Sequence, residues 1–151
     1  MKAVLQRVTH ANVVVEGELI YEIKKGFLVL LGVDNTDTEK DADVLSKKIS
    51  GMRVFEDENG KMNLSLTDIG GELLVISQFT LLADCRKGRR PSFINAGAPD
   101  MANKLYEYFC ERIKFDGIET VKKGVFGADM KVSLLNDGPV TILLDSKELI
   151  K

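Results

Sequence analysis

The chain has 151 residues, 44% of them apolar, and a formal net charge of −2. That suits one globular unit spanning residues 1–151 with a real core. The charge argues against a protein that coats nucleic acid by bulk electrostatics. No run approaches the ~20 apolar residues of a membrane span, and the N-terminal pattern lacks the apolar stretch of a secretory leader. Two cysteines, Cys85 and Cys110, and one histidine, His10, offer neither a disulfide framework nor a metal motif. A reducing cytoplasm is therefore expected, with no cofactor, metal or membrane partner.

The first third reads as strands. Ala3–Thr9 alternates, and Val13–Val15 and Leu19–Tyr21 flank Glu16-Gly17-Glu18 as a hairpin. The unbroken run Phe27–Val33 predicts a strand buried on both faces. Thr38 with Asp41 three residues on has the form of a capping box. Leu45, Ile49 and Met52 recur at helical spacing, and Gly51 marks that helix's end. Arg53–Phe55 and Met62–Leu66 read as short strands around Asp57-Glu58-Asn59-Gly60. Leu73–Ala83 reads as one long strand.

From Asp84 to Ala98 runs a connection too long for an ordinary loop. Its segment Arg86-Lys87-Gly88-Arg89-Arg90 carries four positive charges in five residues. A helix opens near Pro99, with Met101, Leu105, Phe109 and Ile113 as its apolar stripe, and closes at Asp116-Gly117. Met130–Leu135 and Val140–Leu144 predict two final strands joined by the turn-forming Asn136-Asp137-Gly138-Pro139.

Two stretches stand out chemically. Ser77-Gln78-Phe79-Thr80-Leu81 places hydrogen-bonding side chains inside an apolar run. As a continuing strand, it would project Gln78 and Thr80 to one face and Ser77 and Phe79 to the other. The Phe79 amide could then donate to a ligand, as half of an oxyanion or hydroxyl site. A serine-type esterase would need His10 beside Ser77 or Thr80. Gly138, lacking a Cβ, allows very close approach by a ligand or a second backbone.

Taken together, Ser77–Leu81 and Asn136-Asp137-Gly138-Pro139-Val140-Thr141 resemble the two signatures of the D-aminoacyl-tRNA deacylase family. Supporting similarity lies in Leu5-Gln6-Arg7-Val8, in Lys87–Phe93 and in Gly124–Met130. The resemblance implies a three-layer α/β fold of mainly antiparallel sheets with helices on one side. It implies a homodimeric hydrolase that cleaves D-amino acids, and glycine mischarged on tRNA-Ala, from the 3′ adenosine of tRNA as a proofreading step. It further implies that Gly138-Pro139 is a cis dipeptide reaching the partner's active site, where its backbone collides with L-side chains.

By the same resemblance, Arg7 holds that loop. Ser77, Gln78, Phe79 and Thr80 form the catalytic segment, with the tRNA's own 2′-hydroxyl assisting and Thr80 as the rival nucleophile. Phe126 stacks on the terminal adenine or packs in the core, and Met130 lines the same pocket or the core. Arg86, Lys87, Arg89, Arg90, Lys122 and Lys123 are the expected phosphate contacts. The competing reading is a non-catalytic dimeric module that binds aminoacyl-tRNA ends.

Overall fold

In the computed structural model, which describes residues 1–150, one long strand organises everything else. β1 (Lys2–Val15) pairs antiparallel on one side with β3 (Gly26–Gly32) through its first half and with β2 (Glu18–Ile23) through its second. On its other side it pairs antiparallel with β8 (Lys131–Asp145) along almost its whole length. β6 (Glu72–Ser77) then lies parallel to β3, and β7 (Val121–Lys123) lies parallel to β6. A small antiparallel pair, β4 (Phe55–Glu56) and β5 (Met62–Leu64), stands apart.

Alternation along the central strands fills two cores. Phe27, Val29 and Leu31 of β3, with Leu73 and Val75 of β6, face α1 (Glu39–Gly51) and α3 (Pro99–Phe115). These meet Leu45, Ile49, Tyr106, Phe109 and Ile113 from the helices. Leu28, Leu74 and Ile76 point the other way, against Val8, Ala11, Val13 and Ile23. Each buried side chain of this size stabilises by about 1.5–3 kcal/mol, so the two-faced burial of β3 and β6 anchors the mixed α/β fold. No helix among the described residues is long and apolar enough to cross a membrane.

Several expectations are corrected. The two predicted N-terminal strands are one, because β8 runs alongside both and supplies partners to each half. The predicted final hairpin is absent: both halves of β8 continue in one direction along β1, and Asn136–Pro139 is an irregularity inside the strand, marked by register shifts at Gln6–Ala11. Asn136 makes this possible by accepting from the Val140 amide at 3.0 Å and donating to Thr141 Oγ1 at 2.9 Å. The strand expected over Met62–Leu66 stops at Leu64, and Ser65 caps a short helix, α2 (Leu66–Ile69). β7 and α4 (Ser146–Leu149) were too short to leave a periodic signal.

The expected capping box at Thr38 is present and extends into a tertiary clamp. The Thr38 amide donates to Asp41 Oδ2 at 2.9 Å. Asp41 Oδ1 accepts from Ser146 Oγ at 2.6 Å and from Lys147 Nζ at 3.0 Å, tying α1 to α4. Burial alone would raise the Asp41 pKa, but hydrogen bonds from Ser146, the Thr38 amide and Lys147 outweigh it and hold the carboxyl far below its ordinary value near 3.8. A depressed folded-state pKa adds stability above the unfolded value and loses it as pH falls. Asp41→Asn is thus expected to lower the urea midpoint at pH 7, with the gap to the unmodified protein narrowing below about pH 4. A gap that widened on acidification would contradict this origin.

Candidate active site

The strand predicted over Leu73–Ala83 ends at Ser77, and this is the correction that matters most for the site. Residues Phe79–Leu82 wind into a single 3-10 turn. Glycine at the end of β3 permits it: a Cβ on Gly32 would lie 2.7 Å from Leu82 Cδ2 and 2.9 Å from the Gln78 carbonyl. The chain therefore folds over the end of β3, fixed by the Gln78 amide on the Leu31 carbonyl at 2.8 Å, and Leu82 turns inward. A lone glycine closing an apolar strand is the sequence signal for such close approach.

The turn replaces the expected alternation of side chains. Gln78 Nε2 donates to Thr80 Oγ1 at 2.6 Å. The Phe79 amide, at the head of the turn, has no acceptor among the described residues, as first-turn amides commonly do not. Next to it opens a cavity of about 510 Å³ whose walls include Ser77, Gln78, Phe79, Phe126 and Met130. Five of the predicted site residues therefore come together.

Phe126 and Met130 serve the cavity and the cores at once. The Phe126 ring lies 5.9 Å from Tyr106 and packs on the helix-side core, while Met130 packs on the opposite core. A Cβ on Gly124 would sit 2.5 Å from Met130 Sδ, so Gly124 makes room for that side chain. Tyr106, also on the wall, donates to the Val75 carbonyl at 2.6 Å. Burial drives its pKa well above the ordinary phenol value, so it stays protonated.

Ordinary catalytic groups do not converge here. Among the described residues, the cavity's one carboxylate is Asp129, paired with Lys131 at 3.2 Å. His10 is exposed, bonds to Thr9 Oγ1 at 3.1 Å and does not line the cavity. That removes the serine-esterase reading. What the site offers is a free backbone donor, a hydroxyl–amide pair and an apolar pocket with aromatic walls.

The second signature lies elsewhere in the same chain. Gly138-Pro139 is a cis peptide, and the loop is held by Arg7, which is only 6% exposed. Arg7 Nε donates to the Asp137 carbonyl at 3.0 Å and Nη1 to the Val54 carbonyl at 2.7 Å. Arg7 faces Phe27 in the β1–β3 ladder, whereas Gln78 is fixed to Leu31. Four residues of strand, about 13 Å, separate the two attachment points, and neither Gly138 nor Pro139 lines the cavity.

The basic segment is a preformed finger. Asp84 and Ser92 exchange both backbone hydrogen bonds at its base, at 2.7 and 2.9 Å. Arg86 is spent on Asp84, with bonds at 2.9 and 2.7 Å that lower the Asp84 pKa to about 2. Lys87, Arg89 and Arg90 are exposed and have no acidic partner among the described residues. Lys122 and Lys123 do not join them. Lys122 Nζ sits 5.0 Å from the Tyr21 ring centroid, while Lys123 reaches Glu107 of α3 at 2.6 Å, so the two serve opposite faces of the sheet.

Comparison with known proteins places the whole chain. Residues 4–145 match the family model described as D-Tyr-tRNA(Tyr) deacylase. A Thermosipho melanesiensis protein named D-aminoacyl-tRNA deacylase is 58% identical over 99% of both chains. A Clostridioides difficile protein of the same name is 59% identical over 98% of this chain and 99% of its own. A solved structure described as a c-Myc DNA unwinding element binding protein superimposes with a TM-score of 0.91 at 46% identity, covering 96% of this chain and 98% of that one. Another, described as a probable eukaryotic D-amino acid tRNA deacylase, shares the fold at TM-score 0.79 and 17% identity, over 95% and 97% of the two chains.

Proposed function

The chain belongs to the D-Tyr-tRNA(Tyr) deacylase family, hydrolases of the aminoacyl-tRNA ester bond, and on that premise we propose that residues 1–151 act as one proofreading unit. It removes D-amino acids from tRNA in the cytoplasm and works as a homodimer whose active site is shared between two chains. The observation that carries this reading is the separation of the two signatures: the cavity with the free Phe79 amide is at one end of β3 and the Gly138-Pro139 loop at the other. A second copy can bring them together. The outer edge of β8 has no strand partner among the described residues and carries Leu143, 75% exposed. An unpaired edge of that length with apolar side chains is a ready docking surface for another chain.

In this arrangement the terminal adenosine enters the cavity between Phe126 and Met130, where an aromatic wall suits an unpaired base. The Phe79 amide faces the reacting ester, in position to stabilise charge developing on the carbonyl oxygen. The partner's loop presents bare backbone to the substrate α-carbon. A side chain of L configuration meets it, one of D configuration points away, and glycine has nothing to meet it with. Glycine mischarged on tRNA-Ala is accordingly a second substrate.

Among the described residues the cavity holds no imidazole, and its one carboxylate is paired with Lys131. The substrate therefore relays the proton: as water attacks the ester carbonyl and the bond to the ribose 3′-oxygen breaks, the neighbouring 2′-hydroxyl accepts water's proton while passing its own to the departing 3′-oxygen. Thr80 as nucleophile would need a base to activate it, and its hydroxyl instead accepts from Gln78. Lys87, Arg89 and Arg90 take acceptor-stem phosphates, contacts that position tRNA without reading its sequence.

Comparing D-tyrosyl- and L-tyrosyl-tRNA as substrates tests the reading directly. Rapid release from the D form alone is expected; equal rates, or none from either, would overturn it, the latter in favour of a binding module. For the route, Thr80→Ala is expected to keep most of the turnover, and tRNA ending in 2′-deoxyadenosine to lose about two orders of magnitude. The reverse pattern would make Thr80 the nucleophile.

A further inference from the structure

Phe79 sits on the cavity rim yet is 58% exposed. Its ring meets that of Phe93 edge-on, with centroids 5.0 Å apart at 70°. Phe93 does not line the cavity, so the ring pair runs from the rim outward. The mount is rigid. Ser92 closes the base of the basic finger against Asp84, the Asn35 amide donates to the Asn95 carbonyl at 2.9 Å, and the Gly97 amide donates to the Val33 carbonyl at 2.8 Å. A ring pair with Phe79 largely exposed in the single chain is thereby held at the base of the finger that carries Lys87, Arg89 and Arg90, which have no acidic partner among the described residues.

We propose that the Phe79–Phe93 pair is a stacking platform for the unpaired nucleotide immediately 5′ of the substrate's terminal residue. The proposal rests on the deacylase reading and extends it beyond the pocket for the last nucleotide. Ring faces bind unpaired bases without regard to sequence, and the finger's cations continue the track along the phosphates toward the acceptor stem. This combination suits a single strand leading away from the cavity. The cation cluster makes an apolar peptide a poor occupant of the same surface. Because every tRNA ends in the same single-stranded tail, a platform at this place serves a proofreader that must accept many tRNAs.

The test compares kcat/KM for full-length D-tyrosyl-tRNA with that for D-tyrosyl-adenosine, which lacks the preceding nucleotides. Phe93→Leu keeps an apolar side chain against Phe79 but removes the second ring. It is expected to lower the ratio of the two constants about tenfold, while Phe93→Tyr retains the ratio of the unmodified protein. A Phe93→Leu ratio equal to that of the unmodified protein would overturn the platform, whether both constants fall together because the ring merely supports Phe79 or neither falls. Failure of the unmodified protein to hydrolyse either ester would defeat the deacylase reading itself, an outcome distinct from an unchanged ratio.

Discussion

Alanine at position 138 is expected to reduce D-tyrosyl-tRNA hydrolysis by about a hundredfold. Gly138 has φ +133°, a region that side-chain-bearing residues adopt at a cost of about 1–3 kcal/mol. A Cβ there would also stand 3.0 Å from Val140 Cγ2 and 3.1 Å from Arg7 Nη2. The loop must then shift, and a shift on the order of 1 Å in a group that frames the reacting centre is enough for a loss of that size. The remaining activity should discriminate less between D- and L-tyrosyl-tRNA, because in the proposed arrangement the backbone that faces the α-carbon is displaced. Steady-state kinetics with both substrates, alongside circular dichroism to show that the fold persists, would measure this. Near-normal rates and selectivity in Gly138→Ala would mean that the loop does not face the substrate.

Arg7→Ala should carry the second large effect, and chiefly on stability. The guanidinium donates to two carbonyls from separate segments, Val54 after α1 and Asp137 within β8, while nearly excluded from water. Hydrogen bonds from a charged donor contribute about 1.5–3 kcal/mol each, and removing the side chain leaves both acceptors without it. A loss of about 3 kcal/mol is expected, lowering Tm by about 10 °C. Arg7→Lys should recover less than half of this, because an ammonium cannot reproduce the planar fork that spans the two carbonyls. A purely structural arginine would leave the D-to-L selectivity of the surviving enzyme intact. Selectivity that falls in Arg7→Ala would instead mark Arg7 as the positioning residue for the Gly138-Pro139 loop.

Where local pattern and tertiary surroundings agree, the fold was legible from the chain alone. Phe27–Val33 reads as doubly buried and is, because α1 and α3 cover one face and β1, β2 and β8 the other. Thr38 and Asp41 read as a capping box and form one. The misreadings arise where distant residues decide. Gln78–Leu82 has strand-like composition, yet Gly32, far away in sequence, gives the chain space to turn over the end of β3. Asn136–Pro139 has the makings of a hairpin turn, but the long partner β1 keeps both flanking halves in one strand. For the site, residue spacing could raise the Phe79 amide as a donor but not bring Arg7 to Asp137, 130 positions away. That contact was reached through resemblance. Phe93 reads only as part of the Lys87–Phe93 similarity, because a single aromatic residue in a loop has no period and its contact with the Phe79 ring is set by the fold.

Mixing two crippled chains would test the shared active site most directly. Gly138→Ala damages only the donated loop, whereas Phe79→Pro removes the amide from the receiving cavity, a loss worth about 10²–10³ in rate. Each variant alone should be nearly inactive toward D-tyrosyl-tRNA. Unfolded and refolded together, they should form mixed dimers with one damaged and one intact site, and recover about a quarter of normal activity if assortment is random. Recovery would place loop and cavity on different chains. Mixtures as inactive as the separate variants, despite verified subunit exchange, would put both in one chain and contradict the account.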